Sequence, residues 1–342
     1  MSLATIEPVT PVATEPVGYW KATVVLVIVM LALLRSVPAY EALNTSFVKA
    51  TWQAAQVKFD HPLTDMAKAF PPASHEAKLT YRITVPLVVY VFRLGPRQVL
   101  AMNAALGVLL LYLVLGLAHR ITGDRVVAVM VCVAVACCWP GQTAFHEYRG
   151  GYYDVLALCL LLLAMSARAP MAVASWTFLA GWTDERALIA LPLLLLAGAD
   201  RRRREAMFNA GAVSLLLRAL LATFYSTPGA GVGPAVFVSQ MATVPLGLWT
   251  GLGGGWILVV WSLFSLQHPV VLATAVGLLA GVAAMVVGIT RSAAYCLPAV
   301  FVALAILKHH PRLRAVAVLA ACVSVVLPSF YVEGLSVYWL RY

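Results

Sequence analysis

Two apolar runs, VVAVMVCVAVACC (Val126–Cys138) and VLALCLLLLAMSA (Val155–Ala167), flank the polar stretch WPGQTAFHEYRGGYYD (Trp139–Asp154). The runs have the composition of membrane-spanning helices, so the stretch between them is expected where the chain leaves the lipid. Only 11% of the chain is charged, yet four ionisable side chains fall within this one stretch: His146, Glu147, Arg149 and Asp154. Ionisable groups at such a place favour a functional role over a simple turn.

The composition of the whole chain is typical of a membrane protein. Hydrophobic residues make up 62% of the 342 residues, whereas about 45–50% is usual in soluble domains. Apolar runs recur from Tyr19 to the C-terminus, which predicts an all-α, polytopic transmembrane helix bundle of about 9–11 spans, some of them short. The net charge of +10 lies in short basic clusters between apolar runs. These clusters favour membrane anchoring, and no nucleic-acid partner is expected.

The chain is expected to form a single transmembrane domain, residues 19–342, behind a disordered cytoplasmic tail, residues 1–18. The domain is divided by its polar residues into three parts: a large extracytoplasmic loop with juxtamembrane helices (36–97), the core of a candidate catalytic module (98–243) and the C-terminal spans (244–342). No basic region precedes the first apolar run, so Tyr19–Leu34 is interpreted as a retained span.

Basic clusters set the predicted orientation. Arg201–Arg204 and the segment from Lys308 to Arg314 are the strongest clusters. Both are expected on the cytoplasmic side, together with Arg168 and the turn that holds Arg120 and Arg125.

Short apolar segments complete this topology. Ile83–Phe92 would rise only about 15 Å as a helix, too little to cross a ~30 Å core, and Tyr40–Phe59 has the spacing of a surface helix. Met171–Ala199 is predicted to form two short helices that meet at Thr183–Arg186. The later spans are predicted at Met207–Tyr225, Val244–Phe264, Val270–Ile289, Ala294–Leu307 and Ala315–Pro328. The long loop, the stretch after Trp139 and the Thr183–Arg186 tip then all face the outer side.

Three further features have structural interpretations. Arg218 lies in the middle of a predicted span and should face the bundle or a cavity, with a carboxylate as its partner. Gly251–Gly255 is interpreted as a helix-packing or kink feature, since no polar partner follows it. The six cysteines lie in or beside apolar runs without metal-ligand spacing, so they are expected to pack in the core.

The order of these features resembles the GT-C superfamily of integral-membrane glycosyltransferases, which use sugars linked to polyprenyl phosphate. The resemblance covers residues 19–243 and rests on PAYEA (Pro38–Ala42), YRITVP (Tyr81–Pro86), LAHR (Leu117–Arg120), the spacing of Pro140, Tyr148, Arg149 and Asp154, and AGWTDER (Ala180–Arg186). The chain diverges from the family at two of these places. No acidic pair follows the first span, and Asp-Glu-Arg replaces the usual Lys at the hairpin tip.

The resemblance implies transfer of a sugar from a polyprenyl-phosphate donor to a glycan, lipid or protein acceptor, at the outer face of a bacterial inner membrane. It implies Glu41 as catalytic base and Asp154 as a second acid or acceptor orienter, with Asp60 and Asp65 as reserve bases. The residues implied in substrate and phosphate binding are Arg149, Arg186, His146, Asp184, Tyr148 and Arg82. Without an acidic pair no tightly bound metal is expected, with Mg²⁺ or Mn²⁺ as the alternative.

Two other classes of function stay open. One is a non-enzymatic transporter or flippase of a lipid-linked or anionic substrate, with Arg218 as a midplane contact. The other is a structural membrane subunit whose charges dock a partner. A transporter should spread polar groups through the depth of the bundle and show pseudo-symmetric halves. This sequence concentrates its polar groups at one face and shows no internal repeat, which favours the enzyme.

Overall fold

The computed structural model describes residues 19–36, 46–71, 76–146, 153–198, 200–225, 233–265, 270–286, 288–333 and 335–339. Across these residues the chain is mainly helical with almost no sheet, in agreement with the predicted helical class. The first twelve helices are α1 (Tyr19–Ser36), α2 (Ser46–Asp60), α3 (Met66–Ala69), α4 (Thr84–Phe92), α5 (Pro96–Thr122), α6 (Arg125–Ala136), α7 (Trp139–His146), α8 (Asp154–Ser166), α9 (Pro170–Thr183), α10 (Arg186–Ile189), α11 (Leu191–Ala197) and α12 (Arg201–Leu221). A 3₁₀ turn, Ala77–Tyr81, precedes α4.

The C-terminal part adds shorter helices and a β-hairpin. Its helices are α13 (Pro234–Gln240), α14 (Val244–Leu252), α15 (Gly255–Ser265), α16 (Val270–Ala284), α17 (Ile289–Ala294), α18 (Leu297–Leu307) and α19 (Leu313–Val326). Strands β1 (Phe330–Glu333) and β2 (Ser336–Trp339) pair antiparallel, with Val332 opposite Val337. This hairpin departs from the all-α prediction.

Two described helices are long and apolar enough to cross a membrane, Pro96–Thr122 and Ile289–Leu307. The number rises to four if each of two bent pairs counts as one span: Arg125–Ala136 with Trp139–Phe145, bent by 59°, and Pro234–Gln240 with Val244–Leu252, bent by 94°. Shorter apolar helices lie at Trp20–Leu33, Asp154–Ser166, Gly255–Ser265, Val270–Ala284 and Leu313–Val326. These helices are compatible with a polytopic bundle, and the count of about 9–11 spans stays a prediction.

Helix α8 lies inside the bundle, packed against α5, α7 and α9. Its apolar residues are mostly buried, including all those from Ala157 to Leu162. The helix begins at Asp154, whose negative charge suits the positive end of the helix dipole. It ends at Ser166, shortly before Pro170 opens α9 at a position that needs no N–H. Its 13 residues rise about 20 Å, and this length separates the polar groups at its two ends.

The short elements of the N-terminal half agree with the sequence. The surface helix predicted within Tyr40–Phe59 is α2, with residues 37–45 outside the described part of the chain. The short apolar helix Ile83–Phe92 is α4. The helical hairpin predicted within Met171–Ala199 is formed by α9 to α11, and it breaks at Asp184.

The span predicted at Val244–Phe264 is instead broken into α14 and α15. Gly253 has a φ of +55°, and a Cβ added at Gly254 would collide with the carbonyl oxygen of Ala320. The glycine run is therefore a kink that lets α19 approach closely, which confirms the packing interpretation. Five cysteines are buried as expected, whereas Cys322 on α19 is exposed.

Candidate functional site

Six charged side chains from four parts of the chain meet at the N-terminal end of α8, and we call them the acid–arginine cluster. They are Arg82 before α4, Asp154 at the start of α8, Asp184 and Glu185 between α9 and α10, Arg186 at the start of α10, and Arg291 in α17. All are buried except Glu185, whose side chain is 40% exposed. The structure therefore brings together four residues that the sequence places in one candidate site: Arg82, Asp154, Asp184 and Arg186.

Asp154 is held by Arg291. Nε of Arg291 donates to Oδ2 of Asp154 at 2.6 Å, and Nη2 donates to Oδ1 at 2.8 Å. The hydroxyl of Tyr295 donates to the same Oδ1 at 3.3 Å. Bidentate arginine–carboxylate pairs are among the strongest hydrogen-bonded contacts in proteins. The carboxylate is thus occupied, and Asp154 is better suited to orient its neighbours than to accept a proton.

Arg82 is engaged in the same way by Glu185. Nε and Nη2 of Arg82 donate to the two carboxylate oxygens of Glu185 at 3.3 Å and 2.9 Å. Arg82 is fully buried, so it needs compensating negative charge close by. Although the resemblance implies a phosphate-binding role for Arg82, its guanidinium is committed to internal partners.

Asp184 lies at the centre of the cluster. Its Oδ2 is close to three guanidinium nitrogens, those of Arg82 at 3.2 Å, Arg186 at 3.5 Å and Arg291 at 3.7 Å. No directed hydrogen bond from a described residue reaches this oxygen. This oxygen is therefore surrounded by three positive charges but accepts no directed hydrogen bond from a described residue.

Arg186 is the cluster arginine with the weakest side-chain contacts. Its Nη1 makes no hydrogen bond to any described residue, and the nearest carboxylate oxygens are those of Asp184 at 3.5 Å and Asp154 at 3.9 Å. The side chain is only 8% exposed. A buried donor without an acceptor is costly, so an external anionic oxygen would stabilise it.

Arg218 on α12 carries positive charge to the edge of the cluster. Its Nη2 donates to the carbonyl oxygen of Tyr81 at 3.3 Å and to that of Gly181. Its guanidinium carbon lies 5.1 Å from the centre of the Trp182 ring, a cation–π contact. The sequence predicted a carboxylate partner. Glu185 and Asp184 are close enough to attract the charge of Arg218, while its hydrogen bonds to described residues go to carbonyl oxygens.

Lys78, in the 3₁₀ turn, lies close enough to Arg186, Arg82 and Glu185 to interact with their charges. Burial lowers the pKa of Lys78, and the positive charges of Arg186 and Arg82 lower it further. Four arginines, counting Arg218, and this lysine thus surround the three carboxylates of the cluster. The balance of charge favours an anionic ligand.

Local backbone geometry creates this arrangement. Helix α9 ends at Thr183, and Asp184 has extended backbone with a φ of −147°. Oδ1 of Asp184 accepts a hydrogen bond from the backbone N–H of Arg186 at 3.0 Å, as a capping residue does. The N–H of Ile83 donates to the carbonyl of Trp182 at 3.1 Å and so ties the segment holding Arg82 to the end of α9.

The chemistry of the cluster suits phosphate better than a metal. Within the described part of the chain, no three His, Cys, Asp or Glu side chains are grouped closely enough to hold a metal ion. The cluster carboxylates are instead engaged by arginines, so they do not fit a tightly bound Mg²⁺ or Mn²⁺. Guanidinium groups match the geometry of phosphate oxygens.

Two of the remaining predicted residues, Asp60 and Asp65, are described and do not join the cluster. Asp60 is exposed at the end of α2, where its Oδ1 accepts from Nε2 of Gln56 at 2.9 Å. Asp65 caps α3 by accepting from the N–H of Ala67 at 3.2 Å. The others lie outside the described residues or, for His146, have a side chain that does: Glu41, His146, Tyr148 and Arg149.

Sequence reasoning missed Arg291, a member of the cluster, and Tyr295, which donates a hydrogen bond to Asp154. On the predicted topology, Arg291 falls in the short outer turn between the spans Val270–Ile289 and Ala294–Leu307. An arginine in such a turn is a candidate site residue for the same reason as the Thr183–Arg186 tip: it is a charged residue between apolar segments on the predicted outer side. Its partner could not be chosen from sequence, because Asp154 lies 137 residues away along the chain.

Comparison with protein-family models, with curated proteins and with solved structures finds no match for this chain. The resemblance to membrane glycosyltransferases rests on the sequence motifs between residues 19 and 243. Arg291 and Tyr295 lie beyond that range, so their part in the cluster is independent of the resemblance.

Proposed function

We propose that this protein is a membrane glycosyltransferase that moves a sugar from a polyprenyl-phosphate donor to a glycan, lipid or protein acceptor. In the proposed reaction the acceptor oxygen forms a bond to the anomeric carbon, and its proton passes to a carboxylate base. The bond between the anomeric carbon and the phosphate oxygen breaks, and the electron pair leaves with the polyprenyl phosphate. Cationic groups stabilise the negative charge that develops on that phosphate.

One observation carries the proposal: the Nη1 donor of Arg186 is buried in a cluster with three carboxylates and two other arginines, yet makes no hydrogen bond to any described residue. Arg82 and Arg291 each have a bidentate carboxylate partner, and Nη2 of Arg218 donates to carbonyl oxygens. Arg186 is thus the member of the cluster best suited to take an external phosphate oxygen, and Nε of Arg218, at the edge of the cluster, is a second buried donor without a described partner. Lys78 lies near enough to add a second cation.

The distribution of polar groups supports an enzyme over a transporter. Arg218 is the residue that a transporter would use as a midplane contact. Its hydrogen bonds go to the carbonyls of Tyr81 and Gly181, beside the acid–arginine cluster. The described charges of this region therefore gather at one end of the bundle, whereas a transporter spreads them along a pathway.

Each residue of the proposed site then has a distinct task. Glu41 is the proposed base, on the strength of the sequence resemblance. Asp154 and Arg291 position the cluster, because they satisfy each other. Arg186 binds the phosphate, and Asp184 holds Arg186 through its backbone N–H and its side chain. Transfer is proposed to need no tightly bound metal, so treatment with EDTA should leave activity unchanged.

The test is sugar transfer by the purified full-length protein in detergent, with labelled polyprenyl-phosphate hexoses and pentoses as donors. Arg186→Ala should lower transfer about 100-fold or more, as loss of one charge-stabilising donor does in other enzymes. Arg186→Lys should retain part of the activity, since it keeps the charge but not the fork geometry. Glu41→Gln should abolish transfer.

Arg201→Ala is the matched control, because the side chain of Arg201 is 89% exposed and pairs with Glu205 on the neighbouring helix turn. This variant should transfer at the wild-type rate. Wild-type turnover in both Arg186→Ala and Glu41→Gln would exclude the proposed site. Movement of donor across vesicles without a new glycosidic bond would support the transporter instead.

A further inference from the structure

Three arginines gather at the other, C-terminal end of α8, and we call them the arginine triad: Arg120 on α5, Arg168 between α8 and α9, and Arg203 on α12. Nη1 of Arg120 donates to the carbonyl oxygen of Ser166 at 3.1 Å. Nη2 of Arg203 donates to the carbonyl oxygen of Met165 at 2.8 Å. These carbonyls belong to consecutive residues, so the two guanidinium groups are neighbours.

Like charges are close together in the triad. Arg168 is near enough to Arg120 for their charges to repel, and Arg120 repels Arg203 in the same way. The carbonyl oxygens at the end of α8 carry partial negative charge, which offsets only part of this repulsion. The described residues supply no carboxylate oxygen within 4 Å of any of the three guanidinium groups.

Of the acidic side chains nearest to the triad along the chain, Asp200 attracts the charge of Arg203, and the others have partners outside the triad. Oδ1 of Asp200 accepts from the backbone N–H of Arg203 at 2.8 Å and so caps α12. Glu205 pairs with Arg201 at 2.6 Å, and Asp124 pairs with Arg314. Asp200 therefore offsets part of the charge of Arg203, and the charges of Arg120 and Arg168 remain for an external anion.

Arg203 supplies a donor for such an anion. Its Nε is buried and makes no hydrogen bond within the described part of the chain. Arg120 and Arg168 are exposed, so their remaining N–H groups are accessible. Together these groups form a donor-rich surface of the kind that binds phosphate.

Exposed apolar side chains on the helices that hold the triad favour an anion that belongs to an amphiphile. Met171, three residues after Arg168, is 78% exposed, and Phe208 on α12 is 58% exposed. A free anion would gain nothing from these side chains, whereas the acyl chains of a lipid would cover them. Basic pockets between membrane helices bind the head groups of anionic lipids.

We propose that the arginine triad binds the phosphate head group of an anionic phospholipid. This proposal does not depend on glycosyl transfer, because none of the three arginines belongs to the acid–arginine cluster. The lipid joins α5, α8 and α12 at one end of the bundle and so stabilises the fold.

The test measures thermal unfolding of the full-length protein in dodecyl maltoside micelles with added lipid. Cardiolipin and phosphatidylglycerol should each raise the midpoint by several degrees in a saturable way, and phosphatidylcholine should not. Native mass spectrometry should count bound anionic lipid directly. In the double variant Arg120→Gln, Arg203→Gln, the lipid concentration at half-maximal stabilisation should rise at least tenfold. Glutamine keeps a donor for each carbonyl and removes the charge.

The matched control is Arg201→Gln, Arg202→Gln, which removes the same charge from exposed positions on the same turn of α12. It should respond to cardiolipin like the wild type. An equal loss of response in the control would overturn the proposal, since general surface charge would then explain binding. Equal stabilisation by inorganic phosphate would overturn the lipid assignment. If the Gln variant fails to fold, Arg203→Lys should show weakened binding by mass spectrometry, and wild-type lipid occupancy in that variant would count against the triad.

Discussion

The two ends of α8 handle positive charge in opposite ways. At its N-terminal end the acid–arginine cluster buries guanidinium groups against carboxylates, with Arg291 and Asp154 as the tightest pair. At its C-terminal end the arginine triad rests on backbone carbonyls, and the described residues offer it no carboxylate within 4 Å. About 20 Å of helix separates the two. The counter-ions at the N-terminal end are carboxylates of the protein, whereas those at the C-terminal end are proposed to come from bound lipid.

This difference determines where an external anion can bind at each end of α8. In the cluster an anion must compete with internal carboxylates, so it can bind only where pairing is incomplete, as at Arg186. In the triad the one internal anion that acts on an arginine, among the described residues, is Asp200, which lies at the start of α12. We therefore expect the cluster to be selective and the triad to be permissive.

The largest effect is expected from breaking the Asp154–Arg291 pair. Arg291→Met leaves a carboxylate that is 1% exposed without its bidentate partner. Removing one partner of a buried ion pair costs about 3–5 kcal/mol of the free energy of unfolding. Unfolding of the purified protein in mixed detergent micelles measures the loss.

The double variant Asp154→Asn, Arg291→Met should recover most of that stability, since no unpaired charge is left behind. Arg201→Ala gives the baseline for an exposed arginine. If Arg291→Met is as stable as Arg201→Ala, the cluster does not depend on internal pairing, and the contrast between the two ends disappears.

Lys58 extends the comparison. Like the arginines of the triad it is a cation that donates to carbonyl oxygens, but unlike arginine it can lose its proton within the usual pH range. Its Nζ donates to the carbonyls of Thr64 and Thr80, each at 2.9 Å. Burial lowers the pKa of Lys58 to about 8. Between pH 8 and about 10.5 the unfolded chain keeps a proton that the folded chain has lost, so stability rises with pH there.

The expected gain between pH 7 and 9.5 is about 2 kcal/mol. It should be seen as the difference between wild type and Lys58→Met in unfolding experiments at each pH. Below pH 7 that difference should be flat. A difference that falls as the pH rises from 8 to 10 would show that the carbonyl contacts favour the charged form more than burial opposes it.

The smallest effect is expected at the triad without lipid. Arg120→Gln relieves repulsion with Arg168 and keeps a donor for Ser166, so the free energy of unfolding in a zwitterionic detergent should change by less than about 1 kcal/mol. The same substitution with cardiolipin present should be clearly destabilising relative to wild type. A large loss in both conditions would mean that the triad, like the cluster, is fixed by internal contacts.

Local signals predicted much of the helical layout. The apolar spacing before Phe59 and the length of Ile83–Phe92 gave two short helices, and the charges at Asp184–Arg186 marked the break between α9 and α10. Each of these features depends on neighbours within a few residues. The break at Gly253 was predicted only in part. The glycines were interpreted as a packing or kink feature, but Val244–Phe264 was still predicted as one span.

Ion pairs between residues far apart in the chain could not be predicted from the sequence. Topology could place Asp154 and the Asp184–Arg186 tip on one side, yet it could not show that Arg291 binds Asp154. Nor could it show that the guanidinium of Arg82 donates to the carboxylate of Glu185. Those choices depend on how α8, α9 and α17 pack, and that packing has no signature in the spacing of single residues.

The Asp154–Arg291 pair also has a consequence for synthesis. The two residues are separated by 137 positions, which corresponds to about 7–27 s at the usual rates of translation. During that interval the new chain holds a carboxylate at the start of an apolar helix before its principal counter-ion exists. Arg186 is made much earlier than Arg291 and lies 3.9 Å from Asp154 in the finished fold. It can therefore serve as a counter-ion of Asp154 until Arg291 is made.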